Sequence, residues 1–145
     1  LSLLILDIDY FKSVNDRFGH LVGDDCLITV AAICANEIQR SGDLLARYGG
    51  EEFSVVLPAT SEDGAGQVAE RLRNAVATSA MYPGAQETPV SLSISVGVAT
   101  MRPGQDDLPG ELVRRADEAL YGAKGAGRNR VMSYRDFRAV SAGSS

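Results

Sequence analysis

Leu3-Leu4-Ile5-Leu6-Asp7-Ile8 is a nearly unbroken apolar run of strand length. A strand that is apolar at odd and even positions alike has no face for water, so it must lie inside a sheet covered on both sides. The rest of the chain has to supply those covering layers. The single acid in the run, Asp7, then sits where an unpaired carboxylate is costly unless it meets a cation.

The 145-residue chain can meet that demand. Apolar residues make up 45% and charged residues 23%, values of a folded single domain rather than a disordered chain. Lys+Arg 14 against Asp+Glu 19 gives a net charge of −5, which argues against nucleic acid held by bulk electrostatics. Phosphate groups would need a few local cations or a metal. No run of about 18 apolar residues is present, so neither a membrane span nor membrane contact is expected. No signal peptide is visible, and a chain opening on Leu1 reads as a piece of a longer protein. Cys26 and Cys34 fall in one predicted helix, about 12 Å apart along its axis. That separation predicts free thiols and fits a cytoplasmic location.

The pattern predicts β-α-α-β-β-α-β-α-β, one α/β sandwich containing an antiparallel hairpin. After the first strand, Asp9 takes an N-cap position and Tyr10 to Phe18 form a short helix ended by Gly19. A second helix is expected from about Gly23 to Arg40, stopped by Ser41-Gly42. Strands Asp43–Tyr48 and Glu51–Leu57 flank Gly49-Gly50, a tight hairpin signal. Ser61 opens a third helix to about Ser79, and Met81 to Thr88 read as a loop. Val90 to Val98 alternate cleanly, predicting a strand with one packed face. A fourth helix from about Leu108 to Lys124 precedes a basic turn and a last strand, Val131 to Tyr134. The domain is expected to span 1–138, with a small polar disordered tail over 139–145.

Two features carry chemistry. Arg47-Tyr48-Gly49-Gly50-Glu51-Glu52-Phe53 sets two carboxylates directly after a turn that glycines make easily. If the first strand pairs antiparallel with the strand after that turn, Asp7 faces Glu51. Two hard oxygen ligands at that spacing suit Mg²⁺ bound together with phosphate oxygens. Elsewhere the signals are blander. Gly64-Ala65-Gly66 lacks the Gly-Lys-Ser/Thr of a Walker loop, and the only histidine, His20, reads as a structural hydrogen-bonding residue.

Four segments together resemble the GGDEF domains, the bacterial diguanylate cyclases: Asp7-Ile8-Asp9-Tyr10-Phe11-Lys12-Ser13-Val14-Asn15-Asp16, Phe18-Gly19-His20-Leu21-Val22-Gly23-Asp24, the hairpin, and the stretch from Tyr121 to Val131. The likeness runs from residue 1 to about 134, and the hairpin reads GGEEF, one of two forms associated with active members. It implies a nucleotidyl-cyclase palm-like fold, with a central, mostly antiparallel five-stranded sheet wrapped by helices. It also implies condensation of two GTP into cyclic di-GMP and two pyrophosphates. Each domain would hold half of an active site, so a second GGDEF domain, in a homodimer, is the implied partner.

The resemblance also implies roles by position. Asp7, the Ile8 carbonyl and Glu51 match metal ligands for two Mg²⁺ (or Mn²⁺) per GTP. Glu51 and Glu52 match the catalytic acids. Asn15 and Asp24 match the guanine contacts; a carboxylate can accept from the guanine N1–H and N2–H₂ edge, a donor pair adenine lacks. The Tyr10 and Phe11 amides, Lys12, Lys124 and Arg128 match phosphate contacts, in keeping with anion binding at a helix N-terminus. Arg40-Ser41-Gly42-Asp43 matches an inhibitory RxxD site for the product, with Arg71 a weaker companion.

The family usually carries a segment before the first strand, with a Leu-Thr turn and an Asn-Arg pair, which this sequence lacks. The implied activity of the piece alone is therefore weak, and the implied setting is the cytoplasmic part of a larger sensor. The rival reading is a catalytically silent domain that binds GTP or cyclic di-GMP. Loss of Glu51 or Glu52 would mark such a receptor, and both are present. A plain interaction module leaves Asp7, Asn15, Asp24 and Glu51 without a purpose.

Overall fold

The computed structural model describes residues 1–85, 87–102, 104 and 109–143. β1 (Ser2–Ile8) is buried at every position, as its unbroken apolar run requires. It pairs antiparallel with β3 (Glu52–Leu57) on one side and β4 (Ile94–Thr100) on the other. β2 (Leu44–Gly49) makes the hairpin edge against β3, and β5 (Val131–Ser133) adds the one parallel pairing, against β4. Among the described residues the sheet order is β2-β3-β1-β4-β5, the mostly antiparallel five-stranded sheet expected.

Both faces are covered. Leu4, Leu6 and Ile8 share a core with Val14 of α1 (Phe11–Phe18), Val30 of α2 (His20–Glu37) and Leu72 of α3 (Glu62–Ala77). On the other face Leu3 and Ile5 pack with Leu112, Ala116 and Leu120 of α4 (Pro109–Gly125). α5 (Tyr134–Gly143) lies against α4. No helix among the described residues is long and apolar enough to cross a membrane.

Several boundaries differ from the sequence expectation for local reasons. Gly19, at φ +90°, turns the chain in a single residue, so α2 starts at His20 rather than Gly23. It ends at Glu37, which leaves Arg40 outside the helix, and His20 is exposed. Ser61 does cap α3, accepting from the Gly64 N–H at 3.1 Å. The predicted start of α4 at Leu108 lies outside the described residues. Ala139 to Gly143, expected to be tail, are the last turns of α5.

The β4 reading needs two corrections. The regular strand begins at Ile94, and Val90 makes instead an isolated bridge to Met81, bonded in both directions at 3.2 and 2.7 Å. Nor is only one face packed, because Ser95 is fully buried and Gly97 lies against α4. A Cβ on Gly97 would lie 2.2 Å from the Ala116 carbonyl oxygen and 2.4 Å from the Leu120 nitrogen. The small residues of β4 are there so that α4 can rest on the strand backbone.

Candidate active site

β1 ends at Ile8, and the chain turns into α1 through Tyr10, which holds a left-handed conformation at φ 55°. Asp7, Ile8, Tyr10, Phe11, Lys12, Glu51, Lys124 and Arg128 thereby line one pocket of 260 Å³ at that strand end. The phosphate and metal residues named from sequence converge there, from β1, the hairpin and the end of α4. Phe11 is buried in the core, so only its backbone faces the pocket.

Asp7 is 6% exposed. Its Oδ2 accepts from Lys124 Nζ, while its Oδ1 is buried without a hydrogen-bond partner among the described residues. Burial pushes the Asp7 carboxyl up, Glu51 and Asp9 add to this, and Lys124 opposes it. Glu52 is pushed up by burial first and then by the neighbouring Asp7 and Asp117 charges, Lys124 again opposing. The end of β1 is thus a concentration of acid whose charge is opposed chiefly by Lys124. An orphaned carboxylate oxygen beside a second carboxylate suits a hard divalent cation that completes its shell with water and phosphate oxygens. No set of three His, Cys, Asp or Glu gathers as a metal cage among the described residues, and Mg²⁺ does not require one.

Asp9 is a correction. It does not cap α1, whose N-cap is Tyr10 without a side-chain hydrogen bond. Its carboxylate turns back onto β4 and the turn after α4, accepting from Ser93 Oγ, Ser95 Oγ and the Asn129 N–H.

Asn15 and Asp24 are brought together by Gly23. A Cβ there would lie 1.8 Å from Asn15 Oδ1, so the bare glycine lets the α1 amide rest on α2 one residue before Asp24. Asp24 is exposed and lines a 520 Å³ pocket between α2 and the hairpin, with Leu27, Arg47 and Phe53 among its walls. An amide and a free carboxylate beside an apolar cleft can read the polar edge of a flat base.

At the opposite end of β2 the Arg40 guanidinium donates to Asp43 Oδ1, to the Pro58 carbonyl at 2.5 Å and to Thr60 Oγ1 at 2.6 Å. Arg71 reaches the Glu37 carbonyl at 3.4 Å, at the end of α2 just before Arg40. Arg40 and Asp43 therefore share one corner, while Arg71 is tied to Glu37 at the end of α2.

Comparison with known proteins agrees with this geometry. Residues 1–130 match the family "Diguanylate cyclase, GGDEF domain". The chain belongs to the GGDEF family. It is 46% identical over 132 residues to diguanylate cyclase A of Treponema denticola, covering 90% of this chain and 34% of that protein. The first curated relatives it matches are much longer, and the chain spans 19% to 34% of their length. Among solved structures, the GGDEF domain of DgcB from Caulobacter crescentus in complex with c-di-GMP superposes with a TM-score of 0.85 at 32% identity, over 92% of this chain and 77% of that one. The active GGEEF domain of a diguanylate cyclase from Vibrio cholerae gives 0.83 at 36% identity, over 92% and 81%.

The GGDEF signature itself is registered one residue away from the expected hairpin. Gly49 pairs with Glu52, so the turn residues are Gly50 and Glu51 rather than Gly49 and Gly50. Tyr48 is the extra residue of a bulge, Gly50 takes φ +49°, and the Arg47 guanidinium clamps the turn by donating to the Gly50 carbonyl at 2.7 and 3.0 Å. The cross-strand partner of Asp7 is therefore Glu52, a correction to the expected Asp7–Glu51 pairing. Glu51 meets β1 through its backbone, its carbonyl accepting from the Ile8 N–H at 3.3 Å, and it still lines the pocket with Asp7. Sequence reading missed Gly23, Asp117, Asn129 and the true bonds of Asp9. The signal for Asp9 was available: it lies two residues after Asp7, on the same face of an extended chain.

Proposed function

We propose that this chain is a diguanylate cyclase half-site. Two GTP molecules, one on each of two facing domains, are joined as each 3′-hydroxyl attacks the α-phosphate of the other, releasing two pyrophosphates and cyclic di-GMP. The observation that carries this reading is the pocket at the end of β1, where Asp7 and Glu51 meet Lys12, Lys124, Arg128 and the N-terminus of α1. Asp7, the Ile8 carbonyl and Glu51 would hold Mg²⁺ or Mn²⁺, two per GTP. When bound, such ions lower the pKa of the attacking hydroxyl and neutralise charge on the phosphates.

The chain's own groups do the rest. Lys12, Lys124, Arg128 and the Tyr10 and Phe11 amides bind and orient the triphosphate. Glu52, beside Asp7, accepts a proton or supports the second cation. Asn15 and Asp24 read guanine. The bound c-di-GMP of the DgcB structure and the Arg40–Asp43 corner support product binding at Arg40, Asp43 and Arg71. Residues 1–138 act as the domain, with a second copy as its obligate partner.

The test is incubation of the chain with GTP and Mg²⁺ across a dilution series, with chromatographic detection of cyclic di-GMP. Specific activity rises with protein concentration if two half-sites must meet. GTP binding with no product at any concentration would favour the silent-receptor reading.

A further inference from the structure

Asp9 is 4% exposed and has no part in the reading above. Its Oδ1 accepts from Ser95 Oγ at 2.6 Å. Its Oδ2 accepts from Ser93 Oγ at 2.6 Å and from the Asn129 N–H at 2.9 Å. An anionic acceptor shared by three donors in a low-dielectric setting is a strong fixed point. Two of these donors precede or begin β4, whose backbone is pinned by α4. The third belongs to the turn that follows Lys124 and contains Arg128.

That turn is held from its other side as well. Arg73 Nη1 donates to Asn129 Oδ1 at 2.9 Å, and Arg73 is itself fixed by a forked contact with Glu70 through Nε at 3.0 Å and Nη2 at 2.5 Å. Arg128 and Asn129 both take left-handed conformations, at φ 64° and 48°. Asparagine tolerates that region, but arginine seldom adopts it, so the turn persists because its surroundings hold it. The Arg128 guanidinium lies 4.8 Å from the Tyr10 ring centroid, over the mouth of the pocket.

We propose that Asp9 and Arg73 are positioning residues that clamp Asn129 from two sides and so set Lys124 and Arg128 against the N-terminus of α1. The proposal rests on the reading of that pocket as the triphosphate site. Asp9 provides the reference to the sheet and Arg73 the reference to α3. Asp9 also lines that pocket, but both its carboxylate oxygens are taken up by the two serines and the Asn129 N–H, and Arg73 is not among the pocket's walls. Loss of the clamp leaves guanine recognition alone, because Asn15 and Asp24 lie on other elements, and weakens only what depends on phosphate.

The measurement is the affinity of the chain for GTP with Mg²⁺ and, in parallel, for guanosine, with the thermal midpoint of each variant. Asp9→Asn keeps the volume but sets an amide group where three donors converge. GTP affinity is expected to fall about tenfold, the scale of one charge-assisted hydrogen bond, with guanosine affinity unchanged. Asn129→Gly keeps the left-handed backbone and the Asp9 contact but removes the Arg73 contact, and a smaller loss of about threefold is expected. Arg73→Lys should match it, and the two combined should lose no more than either alone. Equal losses for GTP and guanosine, or unchanged GTP affinity in Asp9→Asn, overturn the clamp. If Asp9→Asn does not fold, the Asn129→Gly and Arg73→Lys pair decides by the same comparison. A wild-type chain that binds guanosine no less tightly than GTP overturns the phosphate-pocket reading itself, and the clamp with it.

Discussion

Glu51→Gln removes one charge from a pocket in which Asp7 Oδ1 has no hydrogen-bond partner among the described residues. A neutral amide is a poor ligand for a hard cation, so turnover is expected to fall below detection while the circular dichroism spectrum stays that of the wild type. Full activity in the variant would remove Glu51 from the metal site. The proposed base reading turns on smaller groups. Asp24→Ser should weaken GTP relative to ATP by about 1–3 kcal/mol, the scale of a lost pair of hydrogen bonds, measured by calorimetry with both nucleotides. Gly23→Ala should weaken GTP without touching Asp24, since its methyl group occupies the place of Asn15 Oδ1. Cys34 titrates far from the site. Burial pushes its thiol up to about 12, with Glu37 adding to the shift. The unfolded chain ionises near the ordinary thiol value of about 8.5, so this group's stabilisation is complete below that and is lost as pH rises towards 12. Denaturant midpoints at about pH 8 and about pH 10.5 should fall further in the wild type than in Cys34→Ala. The chemistry-bearing acids were legible in the sequence because each interrupts a pattern: Asp7 an apolar run, Glu51 and Glu52 a glycine turn. Asp9 and Asn129 were not, since their meaning lies in partners 56 to 120 residues away in sequence.

At the scale of elements, the site exists because three chain ends meet at the end of β1: the start of α1, the β2–β3 hairpin and the end of α4. The hydrophobic patterns predicted those elements, and the central strand above all, because burial on both faces leaves one arrangement. They failed where backbone packing rather than side-chain burial decides. The alternation from Val90 to Val98 read as one packed and one open face, whereas α4 presses on the second face. The hairpin register slipped by one because the bulge at Tyr48 has no hydrophobic signature. Gly97→Ala tests the packing claim. A methyl group 2.2 Å from the Ala116 carbonyl oxygen forces α4 off β4, and overpacking of this kind costs about 1–3 kcal/mol. Thermal or denaturant unfolding should register that loss. GTP affinity should fall too, because α4 carries Lys124 to the pocket. A Gly97→Ala chain as stable as the wild type would mean that the helix relaxes freely across the strand.

For the whole molecule, the decisive spacing is between the two ends of β2. Asp43 precedes Gly49 by six positions, and a strand advances about 3.3 Å per residue, so the Arg40 corner lies roughly 20 Å from the hairpin turn. A ligand at that corner does not overlap the pocket of its own domain. Inhibition from there has to keep two domains in an arrangement where their GTP molecules do not meet, or shift the hairpin along the strand. The Arg40 guanidinium already faces Asp43 and, across the β3–α3 loop, the Pro58 carbonyl and Thr60 Oγ1. The fork is therefore oriented before a ligand arrives, and little ordering is left to lose on binding. Arg40→Ala removes the charge and the fork together. Its progress curves should stay linear as cyclic di-GMP accumulates or is added, with an initial rate close to wild type, because no residue of the β1 pocket is changed. Arg40→Lys keeps the charge but replaces a planar fork by a single ammonium that cannot face Asp43 and the β3–α3 loop in the same geometry, so it should release inhibition nearly as fully. Strong inhibition retained in Arg40→Ala would reduce these contacts to a tie between the end of α2 and the β3–α3 loop, and product control would have to act elsewhere.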